Sequence, residues 1–190
     1  MIRIRLIGIL MIVVGLTSFG QNHAQHTEGT EKPVNQPSEI VIFMAVDCPV
    51  TQKYMSTIKS LALHYQNQIS VTGYFPAGLT RQNEKQFRKE FKIPDIIKLI
   101  DDKSHLMTDK LVASITPEVF LLTANGEVLY SGAIDNWFFE LGRYRPEVTE
   151  NYLKDAITAT LNKTPPTVTK TTAIGCFIQK KQQGTSHHQH

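Results

Sequence analysis

The chain has 190 residues, and 41% of them are hydrophobic, which is enough for the core of a globular protein. This length is typical of a single domain. With 20 basic and 17 acidic side chains the net charge is only +3. No basic stripe with interleaved aromatic residues is present, so nothing in the composition indicates a nucleic-acid interface.

The first 20 residues have the pattern of a secretory signal peptide. Its three parts are Arg3 and Arg5 as the basic start, residues 6–16 as the apolar stretch, and Ser18 and Gly20 as the small residues before the cut. The apolar stretch is shorter than the roughly 20 residues that a transmembrane helix needs, so no permanent membrane span is expected. We therefore expect residues 1–20 to be cleaved and the protein to be periplasmic or secreted.

The sequence after the signal peptide predicts one folded domain, residues 39–178. Residues 21–38 are polar and contain two prolines, which is typical of a flexible leader, and residues 179–190 are predicted to form a disordered tail. Apolar runs and helical spacing alternate within the domain. The predicted strands are residues 40–46, 69–75, 96–100, 118–123 and 127–131. The predicted helices are residues 49–66, 81–91, 104–113 and 149–161.

This alternation of strands and helices predicts an α/β fold, in which helices cover a largely parallel sheet. The Asn125-Gly126 dipeptide is a strong hairpin signal, so the strands on either side of it should be antiparallel. We expect these two strands to lie at the edge of the sheet. The predicted fold class is therefore a central mixed β-sheet flanked by helices.

Cys48 follows the apolar run of the first predicted strand and precedes Pro49, which suits the first turn of a helix. Its sulfur should lie at the carboxyl end of a buried strand and over the amino end of a helix, where backbone N–H groups and the helix dipole favour a thiolate. Such positions lower the pKa of cysteine from about 8.5 to roughly 3.5–7.5. We interpret Cys48 as a reactive thiol, and the alternative is a buried structural cysteine.

Three other features bear on the chemistry of Cys48. Thr51 lies one helical turn further on, where its hydroxyl could donate to a thiolate, although an ordinary first-turn residue fits nearly as well. Asp47 would oppose a thiolate if it pointed inward, so we expect it to face solvent. The Thr116-Pro117 bond at the start of a strand is either cis or part of an ordinary trans turn. The residues alone favour the trans form.

Five segments form an ordered set along the chain: residues 47–54 (DCPVTQKY), 116–122 (TPEVFLL), 125–135 (NGEVLYSGAID), 141–146 (LGRYRP) and 173–176 (AIGC). The set resembles the redoxin branch of the thioredoxin superfamily, the alkyl-hydroperoxide-reductase/thiol-specific-antioxidant-like group. Its last two segments are similar to those of one exported bacterial subgroup. The resemblance covers residues 39–178 and implies a thioredoxin-like fold. It also implies that Cys48 is the redox-active thiol, that Pro117 is a cis-proline facing it, and that Thr116 helps to hold an extended partner or substrate.

Two departures from the family pattern bear on the reaction. Thr51 stands where a thioredoxin has the second cysteine of Cys-x-x-Cys, so the usual local disulfide cannot form. A typical peroxiredoxin has Pro-x-x-x-Thr/Ser-x-x-Cys before its reactive thiol, and Val41 and Ala45 occupy those two positions here. The hydroxyl that orients a peroxide is therefore absent.

Cys176 is the only other cysteine, and the sequence does not show whether it meets Cys48. An even number of cysteines in an exported protein makes a disulfide possible. One interpretation is a resolving thiol that attacks oxidised Cys48, and the alternative is a buried or unpaired tail thiol. Arg143 is a candidate for holding a thiolate or an anionic substrate, and the alternative is a structural ion pair with Asp135.

We therefore expect an exported thiol-dependent oxidoreductase that acts on protein disulfides, thiols or peroxides. The predicted catalytic residues are Cys48, Cys176 and Thr51, and the predicted substrate-binding residues are Thr116, Pro117 and Arg143. Such a protein needs an external reductant but no bound cofactor, because sulfur itself carries the electrons.

The alternative is a non-catalytic thioredoxin-fold module for binding or copper delivery. Gln52 breaks the Cys-x-x-x-Cys motif of copper chaperones with this fold, and no metal site is predicted. The histidines at the end of the chain are either metal ligands or part of the disordered tail: His187, His188 and His190.

Overall fold

The computed structural model describes residues 36–179. Its helices are α1 (Pro49–Tyr65), α2 (Arg81–Phe91), α3 (Leu106–Leu111) and α4 (Tyr152–Leu161). Its strands are β1 (Pro37–Phe43), β2 (Ser70–Phe75), β3 (Ile97–Asp101), β4 (Ile115–Thr116), β5 (Glu118–Thr123), β6 (Val128–Gly132), β7 (Phe138–Glu140), β8 (Arg143–Tyr144) and β9 (Cys176–Phe177). The predicted signal peptide, most of the predicted leader and the terminal histidines lie outside the described residues. No helix in the described part is long and apolar enough to cross a bilayer.

A five-stranded mixed sheet in the order β3-β2-β1-β5-β6 forms the centre of the fold. β1 and β3 are parallel to β2, whereas β5 runs antiparallel to both β1 and β6. The predicted α/β class with a mixed central sheet is confirmed. The expectation that both hairpin strands lie at the edge is wrong for β5, because β1 pairs along both of its edges and takes β5 as its second neighbour.

The side chains of β1 alternate between two hydrophobic clusters, one on each face of the sheet. Ile40 and Ile42 belong to the larger cluster, which α1, α2 and α4 cover. Val41 and Phe43 belong to the smaller cluster, against which α3 and Ile178 pack. A strand that is covered on both faces has to be apolar at every position, which is the pattern that the sequence shows. Burial of each such side chain stabilises the fold by about 1.5–3 kcal/mol.

The carboxyl end of β1 is set by its neighbour β5. The strand ends at Phe43, earlier than the predicted residue 46, and its last pair joins Phe43 to Glu118. The residue before Glu118 is Pro117, which has no N–H with which to continue the ladder. The chain then turns at Val46 and Asp47 and enters α1.

Some element bounds differ from the prediction, whereas α2 and β5 match it. β1 starts at Pro37, so the last residues assigned to the leader belong to the sheet. α4 starts at Tyr152, later than the predicted residue 149, because the amides of Thr149 and Glu150 donate to the side chain of Asn136. Two short antiparallel pairs, β7 with β8 and β4 with β9, were not predicted.

Candidate active site

Cys48 occupies the junction between β1 and α1. It is the residue immediately before the helix, with Pro49 in the first turn, and its carbonyl accepts the first helical hydrogen bond, from the amide of Gln52 at 3.0 Å. The sulfur therefore lies where the sequence predicts it, beside the unpaired N–H groups that begin a helix. Asp47 is exposed, as expected, so its carboxylate remains in solvent.

The loop before β5 lies against this sulfur. The peptide bond between Thr116 and Pro117 is cis, as the family resemblance implies, and not the trans bond that the residues alone favour. The Cys48 thiol donates a hydrogen bond to the carbonyl oxygen of Thr116, with 3.1 Å between the sulfur and the oxygen. The junction of β1 and α1 is thus held directly to β4.

The β4–β9 pair brings Cys176 to the same place. Thr116 and Cys176 are register partners in this pair, and the Thr116 hydroxyl donates to the Cys176 carbonyl at 3.3 Å. Both cysteines are free thiols. Residues that are far apart in the sequence therefore meet around Thr116. The sequence leaves open whether Cys176 lies near Cys48, and in the structure the two cysteines line the same cavity.

Gly175 makes this close approach possible. A Cβ atom built on it would lie 2.1 Å from the carbonyl oxygen of Thr116 and 2.8 Å from its carbonyl carbon. These atoms are backbone and cannot move aside as a side chain would. Only glycine at this position allows β9 to lie as close to β4 as it does.

A cavity of about 300 Å³ opens onto the two cysteines. Its lining residues come from the end of β1, the loop after β2, β4 and the segment around β9: Ala45, Asp47, Cys48, Pro76, Ala77, Thr116, Cys176, Phe177, Ile178 and Gln179. Cys48 itself is only 2% exposed, so solvent and reactants reach its sulfur through this cavity. A larger cavity of about 380 Å³ between α1 and α4 contains neither cysteine.

The pKa of Cys48 reflects two opposing causes. Burial raises it, because a charged sulfur is less well solvated inside the protein. Hydrogen bonds from Cys176, from the backbone and hydroxyl of Thr51, and from Thr116 lower it and outweigh the burial, so the pKa of Cys48 lies below the usual value for a thiol. The site therefore favours the reactive thiolate.

Cys176 has the opposite tendency. Burial and its hydrogen bond to Cys48, together with the negative charges of the Cys48 thiolate and Asp47, raise the pKa of Cys176 to about 12. Cys176 is therefore a thiol at neutral pH, and its S–H is one of the donors that stabilise the Cys48 thiolate. The pKa values of the two sulfurs are therefore shifted in opposite directions, so that of the two Cys48 is the one that ionises first.

Thr51 contributes a buried hydroxyl to this pair. Its side chain is fully buried, and its oxygen has no hydrogen-bond partner within residues 36–179 while Cys48 is a thiol. When Cys48 ionises, the hydroxyl and the backbone of Thr51 both lower the pKa of that sulfur. An unpaired buried hydroxyl costs free energy, so it calls for an explanation. Here the explanation is the thiolate state of Cys48, in which the hydroxyl has a partner.

Comparison with known proteins identifies the fold. No protein-family model and no curated protein matches this chain in sequence. An uncharacterized conserved protein from Geobacillus kaustophilus superposes with a TM-score of 0.66 and 19% identity, over 82% of this chain and 83% of its own. A hypothetical protein from Sinorhizobium meliloti superposes with a TM-score of 0.64 and 21% identity, over 78% and 82% of the two chains.

A third solved structure is that of a candidate thiol:disulfide interchange protein, DsbE, from Chlorobium tepidum. Its TM-score is 0.50, with 17% identity over 67% of this chain and 82% of its own. The present fold is thioredoxin-like. At such low identities the likeness concerns the fold alone, so any chemistry has to be argued from the residues around Cys48.

Not every predicted residue lies in the site of this thioredoxin-like fold. Arg143 is on β8, where its exposed guanidinium pairs with Glu140 at 2.9 Å, and it does not line the cavity at Cys48. The alternative ion pair with Asp135 is also wrong, because the Asp135 carboxylate accepts hydrogen bonds from the Tyr54 hydroxyl at 2.6 Å and from the Trp137 amide at 2.8 Å. Arg143 is thus a surface residue of the β7–β8 pair.

Pro117 does not line the cavity at Cys48. It lines a separate, very small space of about 10 Å³ next to Tyr54 and Phe138. Its contribution to the site is the course of the backbone at Thr116 and not a wall of the cavity.

Several residues of the cavity were not identified from the sequence. Pro76 and Ala77 follow β2, where the pattern indicates only the end of a strand. Phe177 and Ile178 follow Cys176, where the pattern indicates only an apolar tail. The signal that could have found the second pair is the glycine before Cys176, since an apolar segment with a glycine beside a cysteine suits a close backbone approach.

Between residues 36 and 179 there is no group of three or more His, Cys, Asp or Glu side chains that could hold a metal ion. The terminal histidines lie outside this range, so their role stays a prediction.

Proposed function

We propose that this protein is an exported thiol–disulfide oxidoreductase of the redoxin type, with Cys48 as the attacking thiol and Cys176 as the resolving thiol. The observation that carries the proposal is the arrangement around Thr116. The Thr116 carbonyl accepts a hydrogen bond from the Cys48 thiol, and Thr116 has Cys176 as its register partner in the β4–β9 pair. If the two cysteines were purely structural, there would be no reason for two free thiols to lie side by side.

The first step is attack by the Cys48 thiolate on a substrate disulfide. The sulfur forms a bond to one substrate sulfur, the substrate S–S bond breaks, and the second substrate sulfur leaves as a thiolate that takes up a proton. Burial raises the pKa of Cys48, but hydrogen bonds from Cys176 and Thr51 lower it below its usual value and so favour the thiolate for this attack. Disulfides are favoured over peroxides as substrates, because Ala45 offers the cavity a methyl group and not a hydroxyl.

The second step is attack by Cys176 on the mixed disulfide. While Cys48 is a thiolate, its charge and its hydrogen bond contribute to the high pKa of Cys176. Burial, which is the largest cause of that high pKa, remains once Cys48 is bonded to the substrate, but the hydrogen bond and the charge of Cys48 are lost, so the pKa of Cys176 falls when its thiolate is needed. Cys176 then loses its proton, bonds to Cys48 and releases the second substrate thiol.

The two steps together transfer two electrons. One substrate disulfide becomes two thiols, and the two protein thiols become a Cys48–Cys176 disulfide. An external dithiol is required to reduce this disulfide before another cycle. The pattern of residues 1–20 supports export to the periplasm or beyond, which is a compartment where disulfides persist.

Disulfide mapping of the full chain tests this proposal. Reduced protein is treated with an excess of hydroxyethyl disulfide, quenched with acid and digested for mass spectrometry. We expect an intramolecular Cys48–Cys176 link in the wild type and a mercaptoethanol adduct on Cys48 in Cys176→Ser. An unmodified Cys48 in both proteins would overturn the proposal.

A further inference from the structure

β9 occupies the backbone edge that lies beside the reactive sulfur. Ile115 pairs with Phe177 and Thr116 with Cys176, so β9 uses the pairing edge of β4 next to Cys48. An extended polypeptide can dock by adding a strand to a free edge, and its main-chain hydrogen bonds then supply much of the affinity. At this edge of β4, the protein's own chain takes that place.

β9 is fixed in this position from both sides. Before it, Gly175 lies against the Thr116 carbonyl with no room for a side chain. After it, the amide of Ile178 donates to the carbonyl of Ser114 at 2.9 Å, and the Ile178 side chain packs against the smaller hydrophobic cluster. A competing peptide would have to break these contacts before it reached β4.

The space that remains open at the site is small. Cys48 is 2% exposed, and the cavity through which its sulfur is reached holds about 300 Å³. Residues 176–179 form one side of this cavity. Pockets of this size are at the lower end of those that enclose small organic ligands. A disulfide carried on a polypeptide backbone would be obstructed by the wall that β9 forms.

We propose that β9 restricts the site to small disulfides and excludes disulfides carried on polypeptides, a proposal that rests on the function proposed above. The chemistry is the same exchange: the Cys48 thiolate bonds to one sulfur of the small disulfide, and the other sulfur leaves as a thiol. Cys176 then displaces the first sulfur as a second thiol and closes the protein disulfide. β9 thus contributes the resolving cysteine and also selects the substrate by size.

The test compares two disulfides that have a mercaptoethanol half in common and differ in the size of the other half. One is hydroxyethyl disulfide, and the other is the mixed disulfide of mercaptoethanol with the cysteine of a short unstructured peptide. Single-turnover rates of reduced full-chain protein are measured with each, so no external reductant is needed. We expect the wild type to react faster with the small disulfide by at least about tenfold, which corresponds to 1.4 kcal/mol.

Displacing β9 should remove this preference. In Gly175→Val the new side chain meets the Thr116 carbonyl, so β9 is forced away from β4 while both cysteines remain in the chain. We expect the ratio of the two rates to fall towards one. Ile178→Pro, which lacks the N–H that donates to Ser114, provides a second variant if Gly175→Val does not fold. Gly142→Asn is the matched control, because a Cβ there meets nothing within 4 Å and asparagine tolerates the positive φ of 79° at this position.

The outcomes separate this proposal from the function on which it rests. Equal rates of the wild type with both disulfides would overturn the size selection and leave the oxidoreductase function intact. An unchanged preference in folded Gly175→Val and Ile178→Pro would show that β9 does not cause it. Reaction with neither disulfide would overturn both proposals.

Discussion

The candidate site joins two regions that are built in different ways. The first is the junction of β1 and α1, where Cys48 follows a buried strand and precedes a helix. The second is the β4–β9 pair, where two strands of two residues each place Cys176 opposite Thr116. The first region is encoded by consecutive residues and rests on the core of the sheet, whereas the second depends on contacts between distant parts of the chain.

The two regions also treat their sulfurs differently. At the junction, hydrogen bonds outweigh burial and lower the pKa of Cys48. In the strand pair, burial and the neighbouring Cys48 thiolate raise the pKa of Cys176 to about 12. The difference fits the separate roles that we propose for the two adjacent cysteines: the thiolate is favoured at Cys48, whereas Cys176 keeps its proton at neutral pH.

The largest effect is expected from removing the sulfur at the junction. Cys48→Ser should reduce exchange with hydroxyethyl disulfide to the uncatalysed background, because a serine hydroxyl is not ionised at neutral pH. Stopped-flow release of mercaptoethanol measures this rate. If folded Cys48→Ser released mercaptoethanol at the wild-type rate, the reactive group would lie elsewhere. Cys176→Ser is the paired variant, and it should retain the first step.

A second test changes Cys176 in the β4–β9 pair and measures how fast Cys48 is alkylated. Cys176→Ala removes a donor to the Cys48 thiolate, so the pKa of Cys48 should rise and its alkylation at neutral pH should slow. Cys176→Ser keeps a donor in the same place and should lie closer to the wild type. Losing a hydrogen bond to a charged group costs about 1.5–3 kcal/mol, which predicts a slowing of about tenfold or more for alanine. Equal alkylation rates in alanine and serine variants would indicate that Cys176 does not reach the Cys48 sulfur.

A third test changes Thr51, which belongs to the junction of β1 and α1 and not to the β4–β9 pair. Thr51→Val keeps the shape but removes the buried hydroxyl, so the pKa of Cys48 should rise and alkylation at neutral pH should slow several-fold. Thr51→Ser retains the hydroxyl and serves as the control. Because this hydroxyl has no partner among the described residues while Cys48 is a thiol, Thr51→Val should not lower stability at acidic pH, as measured by urea unfolding. A valine variant that alkylates like the serine variant would remove Thr51 from the proposed mechanism.

The smallest effect is expected away from both regions. Tyr54→Phe removes the hydroxyl that donates to the buried Asp135 carboxylate at 2.6 Å, although the amide of Trp137 still donates to the same oxygen. Burial, and then the neighbouring Asp135, raise the pKa of Tyr54, so the hydroxyl keeps its proton and the hydrogen bond persists at neutral pH. We expect a loss of about 1–3 kcal/mol in the free energy of unfolding in urea, with unchanged alkylation of Cys48. Slower alkylation would mean that this hydrogen bond also supports the site.

The sequence predicts the first region well because its signals are local. The apolar run, the cysteine and the proline that starts α1 are adjacent, and the structure has them in the predicted positions: a buried strand, the residue before the helix, and the first turn of the helix. β1 ends earlier than the sequence predicts, because its end depends on Pro117, which lies just before a strand far along the chain. Local periodicity contains no information on such a partner.

The second region could be predicted only in part. Family resemblance points to a cis bond before Pro117, and a resolving thiol is one of two interpretations of Cys176, but strands as short as β4 and β9 give no periodic pattern. The pairing is visible only when the distances between backbones are known. Arg143 shows the opposite case: its charge makes it a candidate for holding a thiolate, but it lies on the surface β7–β8 pair and does not line the cavity at Cys48.

The most direct test of the central claim is the pH dependence of Cys48 alkylation in the reduced full chain, with the modified cysteine identified by peptide mass spectrometry. The account predicts that the rate at Cys48 has its midpoint below the value of about 8.5 for free cysteine. It also predicts that Cys176 stays unmodified at neutral pH, since its pKa is about 12. A Cys48 midpoint at or above that of free cysteine would contradict the account, as would preferential alkylation of Cys176.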